Sequence, residues 1–466
     1  MNAKNGHIIK ELEFVKSIEY KSSVELQAIQ EDRLIKLLRH AWENTDYYRE
    51  VLSACGVVRD GVVNLTKFED VPLLTKDILH QQHTRLKAKK LPSDRKAYIN
   101  RTGGSTGQPT EFWQDTYYDA VNIADKLYYF ETMGKEIGDP EMKIWGSPRD
   151  LVTDTSGWSA PLRNFLYNRD VQTCSRLSDA GIERIIRNIN EFRPKIIWGY
   201  IDGMYAISDY VLRHEKTLHR PAAIFCGGGT VFPSMADMIE NAFHCPVTNF
   251  YGSREMGAVA CQCRGFSHLH IASHSHRVEV LDAEGMPVVE QDGDLVITST
   301  TNYAMPFIRY RVGDRAQLTA THCPCGRGFP LLGSVSGRHM ESLIGPNGEL
   351  ISPIYLITMI GVSVQAGLIR KFQIVQDDYT HVTFKAIVNP EASRDHVQEI
   401  VDEICRKIEG LMGKGCIATP SFVEDIPPQA SGKYLYTICN IPADQRPSQA
   451  TERIKAYRAP VGSAAN

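Results

Sequence analysis

"RTGGSTGQPTEF", residues 101–112, carries five hydroxyl or guanidino side chains and three glycines, a mixture poorly suited to a helix or a strand. Gly103, Gly104 and Gly107 let the backbone approach a ligand closely, while Thr102, Ser105 and Thr106 supply donors that can wrap phosphate oxygens. A loop of this composition standing alone is more often a surface turn. Its meaning depends on what surrounds it.

The 466 residues are too many for one ordinary domain, and at about 150 residues per domain they suggest two or three units. Hydrophobic content of 42% and charged content of 23% are those of a globular protein and exclude disordered, collagen-like and disulfide-stapled classes. Lys plus Arg number 52 against 55 Asp plus Glu, with no long basic run. The electrostatic footprint of a nucleic-acid binder is missing, so no nucleic-acid partner is expected. The N-terminal "MNAKNGHIIKELEF" lacks an apolar core followed by a cleavage site, and no stretch approaches about 18 unbroken apolar residues. A cytoplasmic location with no membrane partner is the expectation. Eleven cysteines include two close pairs, Cys261/Cys263 and Cys323/Cys325, which in a reducing compartment point to metal rather than disulfides.

Leu26, Ile29, Leu34, Leu37, Leu38, Ala41 and Trp42 recur near helical spacing and predict an amphipathic helix with Trp42 in the core. Ile182, Ile185, Ile186, Ile189 and Phe192 give a second helical stripe, which leads into "PKIIWGY", a short apolar run expected as a buried strand. From "HRVEVLD" through "GDLVITSTT" short β-rich segments alternate with turn residues, as in an antiparallel subdomain. Beyond "SGRHMESLIGPNGEL" come the expected strands "KFQIVQ" and "HVTFKAIV". A helix with Val397, Ile400, Val401, Ile404, Ile408 and Leu411 on one face follows, then a strand near "CIATPSFVEDI". The expected fold is therefore α/β, with a large N-terminal domain of several subdomains and mixed sheets over residues 1–337. A small mobile α+β domain follows over 338–445, then a flexible tail over 446–466.

Further motifs follow the opening loop in order: "CGGGTVFP" (226–233), "YGSREMG" (251–257), "RYRVGD" (309–314), "SGRHMESLI" (336–344) and "PPQASGKYLY" (427–436). Together they resemble the adenylate-forming, acyl-activating enzyme superfamily. The wording "NRTGGSTGQP", "YGSRE" and "MPFIRYRVGD" is most similar to its phenylacetate-CoA ligase and CapK-like branch. The resemblance spans roughly residues 20–440 and implies an enzyme with the fold just described. Such an enzyme uses ATP and Mg²⁺ to turn a carboxylic acid into an acyl-adenylate, releases pyrophosphate, and passes the acyl group to a thiol or an amine.

The resemblance also implies roles residue by residue. Thr102, Gly103, Gly104, Ser105, Thr106 and Gly107 match the phosphate loop, where donors grip the β- and γ-phosphates. Gln108 stands where the family's lysine does, so more of the charge stabilisation falls to Mg²⁺ and other groups. Gly228, Gly229 and Thr230 belong to the next nucleotide-binding motif. Tyr251 and Gly252 match the segment laid against adenine, followed by Ser253 and by Arg254, which replaces the commoner threonine and offers a phosphate contact. Glu255 matches the magnesium-binding glutamate, a hard oxygen ligand. Taken alone it is a solvated carboxylate. Asp314 matches the aspartate that accepts from both ribose hydroxyls, and Arg338 the arginine near the ribose; a Gly-Asp turn is the bland reading of the first. Met340 and Glu341 occupy the acidic hinge positions, so the hinge residue is altered. Lys433 matches the catalytic lysine that reaches the α-phosphate and the substrate carboxylate.

The cysteine pairs carry a metal expectation of their own. "CQCRGFSHLHI" and the later "CPCG" offer thiolates and imidazoles that can converge on a tetrahedral zinc ion. By resemblance to branch members with a structural zinc, the ligands are Cys263, His270, Cys323 and Cys325, with Cys261, His268 and His322 as substitutes. Trp198 and Tyr200 are candidate walls of an acyl pocket, though aromatics there are as readily plain core, and Trp145 and Phe232 share that ambiguity. Three readings compete: an acyl-CoA ligase for an aryl or arylacetic acid, an amide ligase with an amine or amino acid as acceptor, and an inactive nucleotide-binding protein of capsule assembly. Which acid is used, and whether the chain works alone or as a homodimer, the sequence leaves open.

Overall fold

The computed structural model describes residues 3–101, 111–146, 164–165, 167–174, 176–229, 231, 233–282, 284–336, 343–346, 350–351, 368–388, 392–426 and 436–442. These fall into two compact units, one drawn from 1–102, 110–134 and 248–337 and the other from 135–247 and 338–466.

In the first unit the helix Ser23–Asn44 begins at a reciprocal cap, in which the Ser22 hydroxyl accepts from the Glu25 amide and the Glu25 carboxylate from the Ser22 amide. Leu26, Leu34, Leu37, Leu38 and Ala41 form its buried stripe. Ile29 and Trp42 are only half-buried. Trp42 sits at the core's edge because its indole N–H needs a partner, which it finds in the Ser53 hydroxyl at 2.8 Å. A helix the sequence reading missed, Ala3–Ile18, precedes it; its buried Ile8, Leu12, Val15 and Ile18 form a stripe one residue wide, and it packs on the helix Thr116–Thr132.

An antiparallel sheet fills the rest of this unit, in the order His276–Leu281, Asp292–Ser299, Tyr310–Thr319, Leu331–Ser336, Leu269–Ile271, Gly257–Gln262, Val247–Ser253. Ala97–Arg101 and Glu111–Asp115 pair separately as a hairpin, with Arg101 opposite Glu111.

The second unit contains the parallel strands Arg169–Thr173, Glu141–Trp145, Ile196–Tyr200 and Ala223–Gly227, neighbours in that order. Every residue of Ile196–Tyr200 is buried, as expected of a parallel strand covered on both faces. The helix Asp179–Phe192 is capped by the Ser178 hydroxyl, buries Ile182, Ile185, Ile186 and Ile189, and stops where Arg193 turns left-handed at φ 52°. The same unit holds a four-stranded sheet in the order Ile417–Phe422, His381–Val388, Ile369–Gln376, Thr437–Cys439. The helix Arg394–Met412 accompanies it, burying Val397, Ile400, Val401, Ile404, Ile408 and Leu411. Buried Gln376 ties the short strand Leu343–Ile344 to this sheet, accepting from the Ile344 amide at 2.8 Å and donating to its carbonyl at 2.6 Å. Among the described residues no helix is long and apolar enough to cross a membrane.

Leu37 is fully buried in the first unit's core. Leu37→Ala should cost about 2–5 kcal/mol, read as a lower urea midpoint at unchanged slope.

Candidate functional site

The segment "YGSREMG" is the end of a β-hairpin. Val247–Ser253 and Gly257–Gln262 pair antiparallel, with Ser253 opposite Gly257 and a register shift between Tyr251 and Gly252. Arg254, Glu255 and Met256 form the turn. The two glycines are required: a Cβ on Gly252 would lie 2.2 Å from the Gly257 carbonyl oxygen, and Gly257 has φ +74° with Asn122 and Tyr118 against it.

Side chains hold the three carbonyls of this turn and the Met256 amide. Gln114 Nε2 donates to the Arg254 carbonyl at 2.9 Å, and Tyr118 Oη donates to that of Glu255 at 3.2 Å. His276 Nε2 lies 2.7 Å from the Met256 carbonyl, the Ser253 hydroxyl accepts from the Met256 amide, and Asn122 Oδ1 accepts from the Ala258 amide. Glu255 is 8% exposed, and among the described residues no hydrogen bond or ion pair reaches its carboxylate, only its backbone. Its carboxylate is a hard oxygen donor of the kind a divalent cation takes.

Tyr251 Oη donates to Asp314 Oδ2 at 2.8 Å. Three strands separate the two residues in the sheet order, a span of about 19 Å if the sheet were flat, taken from a strand spacing of about 4.8 Å. The sheet must therefore curl, and in curling it brings two motifs sixty residues apart in the chain into contact. Gln114, Tyr118, Asn122 and His276 are the parts of this site that sequence reading missed, because each acts on a backbone group and no side-chain motif announces that.

The loop 102–110, with Thr102 through Gly107 and Gln108, lies outside the described residues, as do Thr230, Arg338, Met340, Glu341 and Lys433. The stems of that loop are the paired ends Arg101 and Glu111, joined by an ion pair. In the second unit, Gly228 follows the parallel strand Ala223–Gly227 at φ +75°, and a Cβ there would meet the Tyr200 ring at 2.4 Å. Tyr200 and Trp145 stand at the carboxyl ends of their parallel strands with ring centroids 4.2 Å apart, and Trp198 lies 5.1 Å from Trp145. The carboxyl ends of parallel strands are where open α/β sheets bind ligands.

Cys263, His270, Cys323 and Cys325 come together with all four ligand atoms within 4.8 Å of one another, and Cys325 Sγ lies 3.4 Å from His270 Nε2. Tight turns present the thiols: the Phe266 amide bonds the Cys263 carbonyl, and the Gly326 amide, at φ +80°, bonds that of Cys323. Burial and the nearby Arg327 guanidinium push the His270 imidazole down to about 4, leaving it neutral as a metal ligand must be. Burial pushes the Cys263 thiol up to about 12. Burial opposes ionisation of Cys325 too, but hydrogen bonds led by the Arg327 amide bring it below a free thiol's value. Three thiols and one imidazole at this spacing suit zinc, whose bond lengths set ligand separations of roughly 3.3–3.8 Å. Cys261 and His268 lie outside this group, Cys261 buried on the neighbouring strand and His268 tilted against Phe266, and exposed His322 lies outside it as well.

A cavity of about 580 Å³ in the first unit, lined by Phe14, Asp32, Arg33, Arg95, Tyr117 and Tyr303 among others, shares no residue with the hairpin. Its charges are paired internally, Arg33 with Glu11, Lys36 with Asp32 and Arg95 with Asp115.

A family model described as the CapK C-terminal domain matches residues 343–440. Protein CapK of Staphylococcus aureus is 23% identical over 425 residues, which cover 90% of this chain and 90% of that protein. The phenylacetate-coenzyme A ligase of Aromatoleum evansii is 24% identical over 429 residues, covering 88% of this chain and 94% of that enzyme. A crystal structure of 2-hydroxyisobutyryl-CoA ligase in complex with 2-HIB-AMP and CoA superposes with a TM-score of 0.61 at 18% identity, covering 90% of this chain and 91% of that one. The homologues are CapK and phenylacetate-CoA ligases, and the fold is that of the adenylate-forming ligases.

Gly252→Ala should destabilise the protein by on the order of 1–3 kcal/mol, since its Cβ meets backbone. Gly410→Ala, where a Cβ meets nothing within 4 Å, should be neutral or stabilising by up to about 1 kcal/mol. Thermal unfolding of the two variants side by side checks the contrast.

Proposed function

We propose that the protein is an AMP-forming ligase that activates a carboxylic acid with ATP and transfers the acyl group to coenzyme A. The observation that carries this reading is the clamped hairpin, whose turn carries the largely buried residue Glu255 while Tyr251 bonds Asp314. Phenylacetate-coenzyme A ligases among the relatives, matched over most of both chains, support it. In the first half-reaction a carboxylate oxygen attacks the α-phosphorus and pyrophosphate leaves with the bonding pair. In the second, the CoA thiolate attacks the acyl carbon and AMP leaves.

The chain's own residues divide this work. Thr102 to Gly107 donate to the departing phosphates, and Gly228, Gly229 and Thr230 line the nucleotide. Tyr251 and Gly252 pack on the adenine, with Ser253 and Arg254 beside them, and Asp314 accepts from the ribose with Tyr251 fixing its orientation. Arg338 serves the ribose region, and Lys433, in a small domain spanning 338–445, stabilises charge at the α-phosphate during the first half-reaction only. Glu255 fits a magnesium ion by donor type and burial; bound there, Mg²⁺ would neutralise phosphate charge that Gln108 does not. Trp145, Trp198 and Tyr200 favour an aryl or arylacetic acid. Cys263, His270, Cys323 and Cys325 would hold a zinc ion closed to substrate, and so structural. The cytoplasm supplies both ATP and CoA.

ATP–pyrophosphate exchange measured with phenylacetate, benzoate and aliphatic acids should be acid-dependent, and CoA should then drive AMP release. No exchange with any acid overturns the reading, and product with an amino acid instead of CoA reassigns the acceptor. Glu255→Gln should lower exchange about 100-fold or more with unfolding unchanged. Elemental analysis should find about one zinc per chain. Cys323→Ser or prolonged chelation should remove it, lowering thermal stability more than the turnover of the surviving folded enzyme.

A further inference from the structure

Four fully buried polar residues stand behind the Glu255 hairpin, and nothing in the proposed chemistry uses them. Asp125, His274, Ser275 and His276 are each at most 3% exposed. His274 Nε2 lies 2.8 Å from Asp125 Oδ1. Ser275 Oγ lies 3.0 Å from Asp125 Oδ2, 2.9 Å from His276 Nδ1 and 3.1 Å from the Ala272 carbonyl, its single proton serving one of them at a time. His276 Nε2 ends the chain on the Met256 carbonyl at 2.7 Å. A carbonyl only accepts, so the ring carries its proton on Nε2.

Burying this many polar groups is costly unless each is held, and among the described residues all but His274 Nδ1 find a partner. The group reaches the Ala272 carbonyl through Ser275 and the peptide next to Glu255 through His276. Asp125 shares a helix face with Tyr118 and Asn122, seven and three residues earlier, which bond the Glu255 carbonyl and the Ala258 amide. One helix thus grips the turn at two points, and His276 grips it at a third.

We propose that His276, braced by the Ser275 hydroxyl, is a positioning residue that fixes the Met256 carbonyl and so aims the Glu255 carboxylate at its cation. This rests on the reading of Glu255 as the magnesium ligand of an adenylating site. The ring never touches the nucleotide; it acts only through the turn.

Two substitutions separate positioning from packing. In His276→Gln the terminal amide can place a donor where Nε2 stood, whereas His276→Asn is too short to reach Met256 and keeps only the Ser275 side. The Mg²⁺ concentration giving half-maximal pyrophosphate exchange should rise about 10–100-fold in H276N, as for other groups that orient a metal ligand. In H276Q it should stay within about threefold of wild type. Amide hydrogen exchange over residues 255–258 should quicken in H276N and not in H276Q. If H276N fails to fold, Ser275→Ala, which keeps the ring and removes its brace, should show the same shift to a smaller degree. Equal behaviour of the two His276 variants, or lost stability with unchanged Mg²⁺ dependence and unchanged hydrogen exchange, overturns the proposal. If the wild-type protein shows no ATP chemistry at all, the functional reading has failed instead. The anchor is then judged by hydrogen exchange alone: a faster turn in H276N than in H276Q sustains it, and identical rates end it.

Discussion

One polar stripe on a buried helix organises the first unit. Along Thr116–Thr132, the side chains of Tyr118, Asn122, Asp125 and Tyr129 fall on a single face at helical spacing. Tyr118 and Asn122 hold the Glu255 hairpin, Asp125 holds the His274–His276 segment, and Tyr129 Oη reaches the His270 carbonyl at 3.3 Å. The helix itself is pinned at its start, where Asp115 accepts from the Tyr117 and Tyr118 amides. Buried donors and acceptors left unpaired would cost more than misplaced apolar groups, so this stripe sets register where hydrophobic packing alone would allow slippage. It is why the hairpin and the cysteine cluster hold fixed positions on one scaffold.

Both proposed ion sites follow one electrostatic logic. At the hairpin the turn holds the Glu255 carboxylate, and at the cluster three thiols are gathered around a neutral imidazole. In each case the proposed cation would meet donors matched to it, a hard carboxylate oxygen for Mg²⁺ and thiols with an imidazole for zinc. The cavity beside Arg33 and Arg95 shows the opposite arrangement, with its charges already matched inside the protein.

Much of this was legible in the sequence, for reasons that differ by element. The helix stripes at Leu34 to Ala41 and Ile182 to Ile189, the buried strand Ile196–Tyr200 and the α+β unit around Val397 to Leu411 are periodic, and burial follows period directly. The Ala3–Ile18 helix was missed because its apolar stripe is one residue wide among charges, and Trp42 sits outside the core because its N–H needed a hydroxyl. The contact of Tyr251 with Asp314 was not legible as such, since it depends on how far the sheet curls. The grip of Gln114 and His276 on carbonyls was equally hidden, because a backbone acceptor leaves no mark on the residue types around it.

The central claim is that a carboxylate oxygen attacks the α-phosphorus of ATP at the Glu255 hairpin. It is tested most directly by supplying an acid substrate with both carboxylate oxygens labelled as oxygen-18, together with ATP, Mg²⁺ and CoA, and analysing the products by mass spectrometry. Attack at the α-phosphorus leaves one labelled oxygen in each AMP released, with none in pyrophosphate. Label in orthophosphate or pyrophosphate, or unlabelled AMP accompanying thioester formation, would contradict it.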